Sequence, residues 1–261
     1  MIKQILLKWI KLPKYLICYI DNLADFWHEN RNSNIKISWK ELRPYLFDKN
    51  KPSKVAKHYF LQDCWAINKI TSPYGNKIYH HYDVGSRIDG FVGQLAASFN
   101  FITVYYININ KPSHSPWGCY VKGSATNLPM ESNSVMSLSS LHVIEHIGLG
   151  RYGDELDPDG WKKAIAEFKR VLAPGGNLYL SVPIGRERIV FNAHRIFNPF
   201  TIINKCKPLK LIDNSYIDEH NRYYIDSFVN FGIKPIPNKA FQNNSHSMKY
   251  GCGLFHFRKD E

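Results

Sequence analysis

The first apolar pattern along the chain is helical. Ile2, Ile5, Leu6, Trp9 and Ile10 share one face, with Lys3, Lys8 and Lys11 off it. Pro13 is expected to interrupt that helix, and a second apolar segment runs over 15–20. Residues 31–56 are polar, rich in Asn and Lys, with Pro44 and Pro52; they read as a linker carrying a short helix over 39–46. The stretch KHYFLQDCWAINKI, 57–70, predicts a helix that covers the entrance edge of a sheet and stops at the Ser72-Pro73-Tyr74-Gly75 turn.

From residue 78 the pattern alternates between short apolar runs and helical spacing. Strands are expected at 78–84, 102–108, 119–122, 135–141 and 177–182. A helix over 90–99 places Phe91, Val92, Leu95 and Phe99 on one face, and a short helix runs through Glu145. After a glycine-rich loop over 148–160, Trp161, Ala164, Ile165, Phe168, Val171 and Leu172 repeat at three and four. Asp157 is the expected N-cap of that helix, Pro158 its first residue, and Ala173-Pro174-Gly175-Gly176 its end. Two late strands, 209–215 and 253–258, flank a polar loop at 238–248. The fold class is α/β: a doubly wound, mostly parallel, Rossmann-like sheet with an antiparallel C-terminal edge and an N-terminal helical extension. The division is 1–56, extension and linker, and 57–261, the α/β domain.

Composition narrows this picture. The 261 residues are 44% hydrophobic and 14% aromatic, enough for a real core. Lys+Arg number 34 against 22 Asp+Glu, a net charge of +12, which points to anionic partners or to nothing beyond a basic soluble surface. The basic residues are scattered rather than run together as in nucleic-acid tails. Five cysteines far apart, without CxxC, imply neither a disulfide framework nor a zinc site and fit a reducing, cytoplasmic setting. Residues 1–30 read as a basic amphipathic helix for the inner face of an anionic membrane, or as a helix that packs on its own domain or a second subunit. Lys8 and Lys11 break the apolar core that a signal peptide needs.

The organising stretch is IYHHYDVGSRIDGFVG, 78–93: strand, glycine turn, helix. That arrangement presents backbone N–H groups to a nucleotide-like ligand. With it, the GSATNLP, SLSSLHVIEH and RVLAPGGNLYLSVP segments resemble class I S-adenosylmethionine-dependent methyltransferases, most of all the type 11 small-molecule branch, over about 78–183. GSRIDGFV, DPDGWKKAI, GGNLYLSVPIGRER and FNAHRIF are similar to a domain-of-unknown-function family within that superfamily. That likeness extends to YGCGLFHFRK near the C-terminus.

The resemblance implies S-adenosylmethionine as cofactor, with Asp83, Gly85, Ser86, Arg87, Asn108, Ser124, Ala125 and His142 around it. It also implies a small-molecule or glycan substrate, because members of the narrower family accompany bacterial surface-glycan genes. Departures from the pattern are visible. Asn108 and Ser124 stand where acidic residues usually meet the ribose and the adenine, and Arg87 stands where glycine is usual. Each missing charged hydrogen bond costs ~1.5–3 kcal/mol, so two weaken the cofactor roughly a hundredfold. Arg87 offers a fork for a phosphate or carboxylate instead.

Methyl transfer to oxygen needs a base. His142 and His194 are the catalytic candidates, with packing or helix-capping as the alternative for His142. Glu145 and His146 are expected to orient the following helix. Arg186, Arg188, His194 and Arg195 are candidates for a basic substrate rim, or for solvated pairs with acids such as Glu187. No spacing among His80, His81, His142 and His194 supports a metal, and His80 and His81 are expected on opposite sides of the sheet. The (D/N)PPY motif of nucleic-acid amino methyltransferases is absent, so no nucleic-acid partner is expected. The two functional expectations are a sugar or nucleotide-sugar methyltransferase and a degenerate methyltransferase fold that serves as scaffold or membrane-associated partner of glycan enzymes. Oligomeric state is not legible.

Overall fold

The computed structural model describes residues 2–29, 42, 57–71, 80–98, 102–111, 118–152, 154–225 and 248–260. The expected helix over 39–46, the turn at 72–75 and nearly all of the 238–248 loop lie outside those residues. The chain divides into two compact units, Met1–Val55 and Ala56–Glu261.

In the first unit, α1 (Ile2–Glu29) is a single helix with Pro13 inside it, so the expected break is absent. Proline removes one backbone hydrogen bond, but apolar residues continue at helical spacing on both sides of it. Ile10, Leu16, Ile17, Ile20, Phe26 and Trp27 are exposed. No helix among the described residues is long and apolar enough to cross a membrane.

The second unit contains α2 (Lys57–Thr71), β1 (His80–Val84), α3 (Gly93–Ser98), β2 (Thr103–Asn108), β3 (Cys119–Lys122), β4 (Val135–Leu141) and α4 (Gly160–Val171). Then come β5 (Leu172–Ile184), β6 (Arg188–Val190), β7 (His194–Ile196), α5 (Pro199–Cys206), β8 (Lys210–Ile217), β9 (Tyr223–Ile225) and β10 (Gly251–Arg258). Eight strands form one sheet in the order β3-β2-β1-β4-β5-β10-β8-β9. β1 to β5 run parallel, while β10 is antiparallel to both β5 and β8. The antiparallel strand therefore lies inside the sheet, and the β8–β9 hairpin forms the edge. Trp161, Ala164, Ile165 and Phe168 of α4, with Ile202 of α5, cover one face. Trp65, Ala66 and Ile70 of α2, with Phe91, Val92 and Leu95, cover the other. Helices on both faces bury the central strands on both sides, yet β1 and β4 carry buried polar residues there, His81, Asp83, Ser137, Ser139 and Ser140.

Several boundaries differ from expectation. The helix after β1 starts as a π-helical turn, Ile88–Val92, bent at Gly90, and continues as α3. Residues 144–148 form turns rather than a helix. α4 begins at Gly160 with Asp159 at the N-cap position and without a side-chain cap bond there, while Asp157 Oδ1 accepts from Asp159 N just upstream and its amide donates to the Gly148 carbonyl. The Ala173-Pro174-Gly175-Gly176 run joins β5 instead of forming a loop, with a register shift opposite Val135 and Ser137. The β6–β7 hairpin, α5 and β9 add to the expected elements. α5 carries its own start signal, since Asn198 Oδ1 accepts Phe200 N at 3.0 Å and Pro199 follows it.

Candidate active site

The carboxyl ends of β1, β2 and β4 converge. Gly85 N donates to Ile107 O at 3.0 Å, Gly123 N donates to Asn108 O at 3.1 Å, and Leu141 N donates to Ser86 Oγ at 2.9 Å. Gly85 adopts φ +75°, and a Cβ there would lie 2.9 Å from Val143 Cγ1. A side chain at position 85 is therefore strained by conformation and crowded by Val143.

Asp83 locks this turn from below. Its Oδ1 accepts Ser86 N at 2.9 Å, and its Oδ2 accepts Ser86 Oγ at 2.6 Å and Ser139 Oγ at 2.5 Å. The residue is fully buried. Desolvation pushes its carboxyl up to about 6, against the lowering effect of Ser139 and Ser86. Behind it, His81 contacts Ser137 Oγ and Ser139 Oγ at 2.7 and 2.9 Å, and burial drives its imidazole down to about 3. His80 is exposed and His81 buried, as strand alternation requires.

The other positions named for the cofactor side are tied locally. Asn108 Oδ1 accepts Asn110 N at 3.3 Å. Ser124 Oγ lies 3.0 Å from Thr126 Oγ1, and Ala125 packs against the core. Arg87 is not a free fork: it makes two bonds to Asp89, at 3.1 and 2.9 Å, and lies over the Tyr59 ring.

His142 has the strongest chemical signature. It adopts φ +56°, a region non-glycine residues rarely occupy. Its amide donates to Ser181, to O at 3.0 Å and to Oγ at 3.1 Å. Its Nδ1 lies 2.6 Å from Glu145 Oε1. Nε2, though buried, has no hydrogen-bond partner among the described residues, nor has Glu145 Oε2. Burial disfavours the imidazolium, but the Cys252 sulfur and the Glu145 carboxylate more than offset it, and the His142 pKa stands well above its ordinary value. Glu145 is thus a partner of His142 rather than a helix residue.

A row of rings extends from His142. His58 lies 4.9 Å from it and 5.8 Å from Tyr250, which in turn meets His194 edge-on at 5.6 Å. Burial lowers the His194 pKa. His146 Nδ1 donates to Ala193 O at 2.7 Å, which joins the turn after β4 to the β6–β7 hairpin. Arg186 and Arg188 are exposed; Arg188 donates to the carbonyls of Arg186 and Lys249 at 2.9 and 2.7 Å. Arg195 is placed apart from that rim. It is buried and donates to the carbonyls of Ile147 at 2.6 Å, Pro158 at 3.3 Å and Glu145 at 3.4 Å, so it clamps the loop that follows β4. No group of three or more His, Cys, Asp or Glu residues among the described residues is placed to hold a metal ion.

Sequence reasoning missed Gln62 and Asp63 on α2. Gln62 Oε1 accepts Ser181 Oγ at 2.6 Å, so α2 is tied to the residue that holds the His142 amide. The available signal was periodic: Gln62 lies one turn before Ala66 and two before Ile70 on the buried stripe.

Comparison with solved structures identifies the architecture. A putative sarcosine dimethylglycine methyltransferase from Galdieria sulphuraria matches with a TM-score of 0.52 and 16% identity, covering 77% of this chain and 86% of that one. The chain has the methyltransferase fold. Burkholderia thailandensis 1,6-didemethyltoxoflavin-N1-methyltransferase, a structure with bound 1,6-didemethyltoxoflavin and S-adenosylhomocysteine, matches at 0.50 and 13% identity, over 95% of this chain and 90% of that one. The [4+2]-cyclase SpnF matches at 0.51 and 17% identity, over 76% and 81%. Residues 125–222 match the family described as Caenorhabditis protein of unknown function, DUF268. Curated proteins give no match.

Proposed function

We propose that this protein transfers a methyl group from S-adenosylmethionine to a hydroxyl of a sugar or nucleotide-sugar in surface-glycan biosynthesis. The reading is carried by His142: a buried imidazole fixed by Glu145 at 2.6 Å, with Nε2 unpartnered among the described residues, beside the Gly85 turn. The residues fit the cofactor. The turn at Gly85 disfavours a side chain and leaves bare backbone, Asn108 and Ser124 offer neutral polar groups at the ends of adjacent strands, and the Ala125 N–H lies next to Ser124. The toxoflavin enzyme of the same fold binds S-adenosylhomocysteine.

When bound, the cofactor supplies an electrophilic methyl group. Gly85 and Ser86 would line its amino-acid side, with Asp83 bracing them; Asn108 would serve the ribose, and Ser124 and Ala125 the adenine. In its neutral form, which the raised pKa confines to the more alkaline range, His142 Nε2 would take the acceptor proton as the acceptor oxygen takes the methyl group, and Glu145 would stabilise the imidazolium formed. Arg186, Arg188 and His194 meet an anionic part of the acceptor, while Arg195 acts at one remove by holding the loop. The sugar class is supported by the motif resemblance and by the exposed arginines. The exposed apolar residues of α1, with its lysines, support a peripheral site at the inner face of an anionic membrane.

A second reading is favoured by Asn108 and Ser124, which lack the carboxylates usual at those places, and by the cyclase that shares the fold. It is a scaffold that no longer methylates. Calorimetric titration with S-adenosylmethionine and S-adenosylhomocysteine separates the two. Binding heat supports the first; none at millimolar ligand selects the second.

A further inference from the structure

We infer that Asp63 on α2 is the carboxylate that receives the ammonium of the cofactor's amino-acid arm, a role that burial beneath the turn denies to Asp83. The inference rests on the S-adenosylmethionine reading above.

The two carboxylates are in different states. Asp83 is fully buried, and both its oxygens are taken by Ser86 and Ser139. Its complete burial beneath the turn keeps it from meeting a ligand unless the turn opens. Asp63 is only 7% exposed, yet far less engaged. Its Oδ1 accepts Gln62 Nε2 at 3.1 Å, while Oδ2 accepts no hydrogen bond among the described residues. A Cβ on Gly90 would lie 2.9 Å from that Oδ2. The bare backbone at Gly90 therefore makes room for the carboxylate, and the carboxylate stands directly against the turn.

Arg87 and His142 act on the Asp63 carboxylate at a distance, but neither bonds to it, and desolvation outweighs them. Arg87, the cation of the turn, is held by Asp89 through two bonds. Burial consequently lifts the Asp63 carboxyl above its ordinary value. A desolvated carboxylate with one open oxygen favours a compact cation with several donors, and repels phosphate or carboxylate. The position also suits the chemistry. Gln62 joins Asp63 to Ser181, and Ser181 accepts the His142 amide, so one rigid chain relates the ammonium site to the base. Asp63 is a binding residue in this account, not a catalytic one.

The test is calorimetry on the full chain, parent and Asp63→Asn, with S-adenosylhomocysteine and with 5′-methylthioadenosine, which lacks the amino-acid arm. The expected result is at least a tenfold loss for S-adenosylhomocysteine in the variant, with 5′-methylthioadenosine unchanged. Unchanged affinity for S-adenosylhomocysteine overturns the inference, and so does equal loss of both ligands. A parent-only measurement stands beside it: deaminated S-adenosylhomocysteine should bind the parent at least tenfold more weakly than the intact ligand, and equal binding overturns the inference without any variant. A parent that binds none of these ligands overturns the methyltransferase reading itself, a result distinct from the others.

Discussion

Ser139 fixes the protonation of His81. Its Oγ donates to Asp83 Oδ2 at 2.5 Å, so toward His81 Nε2, at 2.9 Å, it must accept. His81 therefore carries its proton on Nε2, and its Nδ1 accepts from Ser137 at 2.7 Å. A neutral imidazole thus supports, through one hydroxyl, the carboxylate that shapes the Gly85 turn.

Stability should depend on pH through this pair, with opposite signs. The His81 pKa falls from 6.5 to about 3, so its contribution is present above 6.5 and is lost as pH falls toward 3. The shift corresponds to on the order of 4–5 kcal/mol. The Asp83 pKa rises from 3.8 to about 6, so its contribution is present below 3.8 and is lost as pH rises through 6. That is worth about 3 kcal/mol. Urea unfolding between pH 4 and 7 should show His81→Gln gaining stability relative to the parent as pH falls. It should show Asp83→Asn gaining as pH rises. Parallel curves for parent and variants refute the account.

Burial lowers the His142 pKa, but the Cys252 sulfur and the Glu145 carboxylate against Nδ1 outweigh it, so the imidazole should titrate above the ordinary histidine value. In Glu145→Gln the charge is gone and the titration should move to lower pH, followed by the His142 ring-proton resonance in NMR. An unmoved midpoint removes Glu145 as the partner of the base. In an established methylation assay, His142→Ala should lower kcat by about 10²–10⁴.

Gly85→Ala should suffer twice, from φ +75° and from Val143 Cγ1 at 2.9 Å. The conformation alone costs about 1–2 kcal/mol. Adding Val143→Ala should restore only the steric part, so the double variant recovers some of the lost Tm but not all. Full recovery would mean that the backbone conformation carries no cost.

Arg195 and Arg188 should separate clearly. Arg195→Ala removes a buried clamp on three carbonyls and should cost about 3 kcal/mol in chemical unfolding. Arg188→Ala, at an exposed position, should stay within about 0.5 kcal/mol. Equal effects would contradict the assignment of Arg195 to the loop.

Deletion of residues 1–30 should abolish co-sedimentation with anionic vesicles if the exposed apolar residues of α1 meet a membrane. Unchanged co-sedimentation removes that contact.

The strands were the most legible part. β3 and β4 fall at the expected residues and β2 within one, because short apolar runs bounded by turn residues leave little choice of boundary. The β6–β7 hairpin escaped because Arg188, Ile189 and Val190 are exposed and carry no burial pattern. The start of α4 lies two residues beyond the proline expected to open it, and Asp157 Oδ1 binds the Asp159 amide ahead of the first turn, a detail the local pattern does not report. At the site, Asp83, Gly85 and His142 could be named from their motifs. Gln62 and Asp63 could not, because their roles come from contacts far along the chain: Ser181, Cys252 and Gly90. Local pattern reports that a polar residue sits on a buried stripe, but not what it meets there.

The sheet cannot be closed in the order in which it is synthesised. β8 and β9 are made before β10, yet β10 must enter between β5 and β8. Until then β5 and β8 each present an open edge, the situation in which a nascent sheet is most exposed to wrong pairing. The arriving segment also brings Cys252 to Gln62, and Tyr250 to His58 and His194. Assembly of the Tyr250–His58–His194 row is therefore coupled to closure of the sheet: a nascent chain that has not yet placed β10 has the glycine turn but not that row of rings.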